Sequence, residues 1–243
     1  DFGTREVWLA AEGETGEMAY SAVIELGETD GTDEQIQSDA QSLFDLLSGT
    51  SVSNAPGSVN RSQQNIDIRL EALYKKMRFR LGSQIRKDIG DGAGAAETLN
   101  PTNKFASQRL NFDFTYTEAE LSKNTSLEFQ ASYLDTSQEV EGNFILYPPG
   151  SRGPFFDSLG APIFPPFPDG VIGNPEIFEN HFRASLRLNY KGIEHHNLSM
   201  GSGYYHGQID KVTEEKNFGI HPDTLLPILP GDPLVDVSDT PLV

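Results

Sequence analysis

Cysteine is absent from this 243-residue chain, which excludes a disulfide framework and any thiolate nucleophile or ligand. Long apolar runs are absent too. Nowhere do ~18 consecutive apolar residues occur, so no segment reads as a transmembrane helix. Positive charge is scarce: lysine and arginine number 18 against 36 aspartates and glutamates, for a net charge of -18. Neutralising phosphates needs a basic face, so no nucleic-acid partner is expected. The missing apolar runs do not exclude a membrane. A spanning β-strand needs only ~9–11 residues, and half of them can be polar if they face a lumen.

What the chain does contain is alternation. Eight segments switch between apolar and polar residues with period two. Ile66, Ile68, Leu70, Ala72 and Tyr74 alternate with Asp67, Arg69 and Glu71. Met77, Phe79, Leu81 and Ile85 alternate with Arg78, Arg80, Gln84 and Arg86. Leu110, Phe112, Phe114 and Tyr116 follow the same rule, as do Leu127, Phe129, Ala131 and Tyr133. Phe182, Ala184, Leu186, Leu188 and Tyr190 alternate with Arg183, Ser185 and Arg187, and Leu198, Met200 and Tyr204 oppose Ser199, Gly201 and Gly203. Two weaker segments lie near Arg5–Ala11 and Met18–Leu26. Because successive side chains of a strand point to opposite faces, each segment presents one apolar and one polar face.

The connections alternate as well. Short ones fall near Gly13–Gly16, Lys75–Lys76, Ala119–Asn124 and Gly192–His196. Long ones cover about 27–63, 88–105, 136–180 and the chain from Lys211 onward. Tight turns at one end and long loops at the other are the rhythm of outer-membrane barrels. The expected fold is all-β. It is an antiparallel up-and-down meander of about eight strands, part of a large transmembrane β-barrel, with the long loops on one side.

Candidate functional residues lie in the loops and on the polar faces. The first long loop predicts a helix, with a capping box at Thr32 and Gln35, an apolar face of Ile36, Ala40, Leu43 and Leu47, and a stop at Gly49. The third is rich in proline and aromatics. Tyr147, Phe155, Phe156, Phe164 and Phe167 are the candidates for contact with an organic ligand; the alternative is that they pack on each other or plug a barrel mouth. Arg69, Arg78, Arg80, Arg109, Arg183 and Arg187 all fall on polar strand faces, where they line a charged lumen. They can steer anions, or pair with Glu71, Asp113 and Glu128. Tyr74, Tyr116 and Tyr190 sit at strand ends as an interfacial girdle would.

No catalytic, metal or cofactor site emerges. His195 and His196 are adjacent in a short turn, so their imidazoles diverge. Asp88–Gly94 is glycine-rich but lacks the Gly-Lys-Ser/Thr of a phosphate loop. The acidic groups Asp30, Asp33 and Glu34 and Asp232, Asp236 and Asp239 match no calcium-loop spacing. The chain is therefore not expected to be an enzyme.

The run Arg183-Ala-Ser-Leu-Arg-Leu-Asn-Tyr190, a short turn, and Asn197-Leu-Ser-Met-Gly-Ser-Gly-Tyr-Tyr205 together resemble a barrel hairpin of TonB-dependent outer-membrane receptors. Gly142-Asn-Phe-Ile-Leu-Tyr-Pro-Pro-Gly150 is similar to a loop of such receptors. The resemblance implies that residues 1–243 are part of a barrel domain in the bacterial outer membrane. The family's plug domain, TonB-contacting box and signal peptide have no counterpart in this stretch. Receptors of this kind close with about 22 strands around a plugged lumen, so the chain is expected to be an internal piece of a longer protein. That protein would import a scarce solute such as a ferric siderophore. Its partners would be outer-membrane lipid, a small-molecule ligand such as an iron chelate, and the TonB energy-transducing complex, reached through the plug. Two alternatives stay open: a passive porin or small complete barrel, whose first and last strands pair, and a soluble β-sandwich ligand-binding module, in which two apolar faces meet.

Overall fold

Alternating sequence becomes a single twisted sheet. Its long strands are β1 (Arg5–Thr15), β2 (Met18–Thr29), β3 (Gln63–Tyr74), β4 (Met77–Gly90), β5 (Lys104–Ser122), β6 (Thr125–Val140), β7 (Val171–Ile193) and β8 (His196–Lys216). Each pairs antiparallel with its neighbours in chain order, giving an up-and-down meander. Val235–Asp236 pairs with Glu215 and Lys216 at the far edge, and Ile145–Tyr147 pairs with the start of β7. β1 and β8 stand at opposite sides and do not pair, so the sheet is open. This computed structural model describes residues 3–152, 155–156, 162–163 and 165–238.

At one end the strands are joined by two-residue turns, closed by the pairs Thr15–Met18, Tyr74–Met77, Ser122–Thr125 and Ile193–His196. Gly16, Lys75 and His195 carry left-handed φ angles of 59°, 54° and 60°. Turns of this hand match the right-handed twist of the strands they join. The turns at Ala119–Asn124 and Gly192–His196 are tighter than the alternation predicts. A register irregularity between Glu118 and Ser122, and another between Tyr190 and Ile193, lets the ladder resume before the chain reverses. The strands also run past the apolar segments at the other end. β5 starts at Lys104 rather than Arg109, and β7 at Val171 rather than His181. Backbone ladder bonds extend a strand whatever side chains it carries.

The helix in the first long loop, α1 (Ala40–Ser48), starts later than the sequence predicts. Thr32 and Gln35 do not cap it; Gln35 and Ile36 form a short bridge with Gly57 and Ser58. The cap is Asp39. Its carboxylate accepts from the Ser42 amide, and the Ser42 hydroxyl accepts in return from the Asp39 amide. Gly49 ends the helix at φ 68°, a left-handed position that favours glycine.

Among the described residues the buried apolar core sits at the loop end of the sheet: Val59, Leu99, Phe144, Phe167 and Ile228 join Val171 and Ile172, the first two residues of β7. Around them asparagines staple one loop to the next. Asn60 Nδ2 donates to the Asn103 carbonyl at 2.7 Å. Asn103 pairs both ways with the Ile145 backbone, donating at 2.8 Å and accepting at 2.8 Å. Asn174 Oδ1 accepts from the Phe144 amide, and Asn217 Oδ1 from the Ile172 amide, both at 2.8 Å. Asn103 is fully buried, so Asn103→Ala strands the Ile145 N–H and C=O. The expected cost is about 2–3 kcal/mol of local stability. Hydrogen exchange should show faster opening around Ile145 with unchanged protection in the lower halves of β3–β6.

Candidate functional site

Register decides which side chains share a face. Arg69 faces Gly82, Arg80 stands between Glu71 and Asp113, and Arg109 is opposite Gln84. Arg78 is opposite Leu73, Arg183 opposite Ser132, and Arg187 opposite Glu128. All six arginines therefore lie on one polar face, as the alternation predicts. Two shallow depressions hold five of them. Arg69, Arg80 and Arg109 line one with Glu71, Asn111 and Asp113. Arg183 and Arg187 line the other with Glu128, Gln130 and Tyr205.

Only part of the expected pairing occurs. Arg78 binds Glu71 at 2.7 Å. Arg86, outside the six, binds Asp67 at 2.9 Å; this is the more buried contact, with the aspartate side chain 5% exposed. Asp113 is engaged by the Ser132 hydroxyl at 2.8 Å instead of by an arginine. Arg187 faces Glu128 across the ladder without an ion pair. Among the described residues, Arg69, Arg80, Arg109, Arg183 and Arg187 have no carboxylate at ion-pair distance. A polar cluster that the sequence reading missed lies on the same face: His181 Nδ1 is 2.8 Å from the Tyr205 hydroxyl, and its Nε2 is 3.2 Å from Glu179 Oε2. The i, i+2 spacing of Glu179 and His181 was the available signal.

Of the loop aromatics, Phe167 and Tyr147 lie in different surroundings. Phe167 is 1% exposed and belongs to the core of the loop end. Tyr147 is half-buried and packs its ring against Phe44 of α1 at 5.7 Å between centroids. Phe155 and Phe156 form a two-residue pairing with Pro162 and Ile163. Phe164 lies outside the described residues.

Three carboxyls in the first two long loops have shifted acidity. Burial alone would raise Asp39 and Asp45, but the hydrogen bonds they accept outweigh it and hold both below the ordinary carboxylate range. Asp45 accepts from Thr50, Gln41 and the amides of Val52 and Ser53. Burial raises Asp91, and the hydrogen bond from Asn103, with weaker help from the Asp91 and Ala95 backbone, only partly offsets this. The signs follow from linkage. Lowered carboxyls contribute stability above the ordinary value near ~4, and lose it as pH falls through their folded values. A raised carboxyl contributes fully below that ordinary value and loses the contribution as pH rises through its folded value. Amide protection of residues 40–59 is therefore expected to fall on acidification from pH 6 to pH ~3. Asp91→Asn keeps the acceptor for Asn103 and removes the charge, and should raise the thermal midpoint of the loop end at pH 7.

Among the described residues no group of three or more His, Asp or Glu is placed to hold a metal ion, and the polar face and the loop end remain the two candidate functional regions. Compared with known protein families, curated proteins and solved structures, the chain matches none.

Proposed function

We propose that this chain is a wall segment of a bacterial outer-membrane β-barrel, from a TonB-dependent receptor that imports a scarce solute such as a ferric siderophore. The observation that carries the membrane reading is the other face of the sheet. Leu70, Leu81, Phe112, Phe182 and Leu186 lie on it with roughly two-fifths of their surface exposed, and Leu9 and Met200 with about two-thirds. Among the described residues contacts between the long strands run from neighbour to neighbour, and no second layer covers this face. A soluble sandwich would bury it.

The face is a bounded band. Above it, on the same side, stand Glu28, Gln64, Lys87, Gln108, Asp135 and Asn180, one on each strand from β2 to β7. Tyr74, Tyr116 and Tyr190 mark its lower part, and Tyr133 and Tyr204 its upper part. Aromatic residues are favoured at both membrane interfaces. The upper boundary also runs obliquely. Tyr204, the top of the band on β8, shares a row with Tyr20, six residues below Leu26, the top of the band on β2. The boundary thus falls one residue per strand over six steps. A rise of ~3.3 Å per ~4.8 Å spacing corresponds to a strand tilt of roughly 35°, which is the tilt of membrane barrels. At that tilt the span from Ile66 to Tyr74 is about 22 Å tall, close to the ~25 Å apolar band of such barrels.

The receptor class rests on the resemblance of the Arg183–Tyr205 hairpin and on the loops gathered at the end opposite the tight turns. In this mechanism the loops capture ligand, the plug of the parent protein holds it, and energy input through the TonB complex remodels the plug. A small complete barrel requires β1 to pair with β8, and the ladder keeps them apart. The test is membrane extraction. The protein should stay with outer membranes through alkaline carbonate and be released by detergent. Leu70→Arg or Leu186→Arg, at mid-band, should each cost about 2–4 kcal/mol of folded stability in membranes. Gln130→Arg, on the opposite face, should cost far less. Release of the unmodified protein by carbonate alone would overturn the reading.

A further inference from the structure

We propose that Arg69, Arg80 and Arg109 form a binding site for a small polyanion carrying carboxylate or phosphate groups. The three guanidinium groups come from adjacent strands β3, β4 and β5 and line one open depression on the polar face. Gly82 lies within it, directly between Arg69 and Asn111 in the register. A Cβ there would meet Asn111 Oδ1 at 2.4 Å, so the Asn111 carboxamide lies across the space that glycine leaves.

The charges around the depression do not balance. Glu71 is taken by Arg78, Asp67 by Arg86, and Asp113 accepts from Ser132. Three arginines then face a single carboxylate outside any ion pair, Asp113, and none is at ion-pair distance from it. Arg80 Nε is shielded from solvent and has no hydrogen-bond partner among the described residues. A shielded donor of this kind is costly unless it is satisfied. The excess is local and not compositional, because the chain as a whole carries -18. Arginine presents a planar fork of donors that fits the two oxygens of a carboxylate or phosphate, and lysine is absent from this cluster. Three forks facing one space suit a ligand with two or more anionic groups. The polar face is open whether the sheet lines a lumen or stands free, so the site does not depend on the membrane reading.

The probes are citrate and inorganic phosphate, titrated calorimetrically into the detergent-solubilised protein at low ionic strength. A saturable site is expected for citrate, weakened by added salt. Arg80→Gln and Arg109→Gln should each reduce its affinity by about tenfold or more. Arg187→Gln, on the same face but in the other depression, should leave it unchanged. The titration of the unmodified protein stands even if a variant fails to fold, and circular dichroism checks the variants. Absence of saturable binding for both anions, or an equal loss with Arg187→Gln, overturns the site. If the protein proves soluble without detergent, the same titration runs in plain buffer, so failure of the membrane reading and failure of the site give different results.

Discussion

Everything in this molecule depends on the register of one antiparallel ladder. Side chains alternate across a strand, so a slip of one residue would move a strand's apolar set to the polar face. Within the apolar band no slip of that kind occurs between β2 and β7; the one-residue irregularity between Arg86 and Ile89 lies above the band. Ile24, Ile68, Leu70, Leu81, Phe112, Tyr133 and Phe182 stay on one side across six strands. Two-residue turns enforce this at one end, because a turn that short leaves almost no freedom in how the next strand begins. The irregularities near Ser122 and Ile193 are confined to the turns and do not propagate into the band.

The two ends of the sheet solve different physical problems. Among the described residues nothing covers the apolar band of the sheet, and its polar face is open. The loop end therefore has to supply its own core, and it has few apolar residues with which to do so. Asparagine does the joining. Its carboxamide offers a donor and an acceptor, so one buried side chain can satisfy both backbone groups of a neighbouring loop residue, as Asn103 does for Ile145. Buried polar groups of this kind are stabilising only when satisfied, which makes the arrangement specific as well as cohesive.

Charge is distributed as deliberately as apolarity. An acidic chain concentrates arginine on one face, then pairs some of it and leaves the rest. The ion pairs join neighbouring strands, such as Arg78 with Glu71 and Arg86 with Asp67. They lie at the margins of the arginine field, and the unpaired guanidinium groups lie between and beyond them. A face that is open to small solutes and carries fixed positive charge attracts anions at short range, where screening is weakest.

Much of the fold was legible because strand alternation is local. Residues such as Ile66 through Tyr74 reveal their two faces within one segment, and the turn at Lys75–Lys76 needs no distant partner. The helix boundary was less legible. Thr32 and Gln35 offer a capping pattern as good as that of Asp39 and Ser42, and only packing of residues 53 and 99 against Asp39 selects the latter. The candidate site was half visible. Parity along each strand is enough to place six arginines on one polar face. The tertiary structure decided which of them are paired, that Arg69, Arg80 and Arg109 converge beside Gly82, that Phe167 belongs to the core, and that the apolar band crosses the strands at a slant. Those outcomes depend on the offset between strands far apart in the chain, and only the assembled ladder sets that offset.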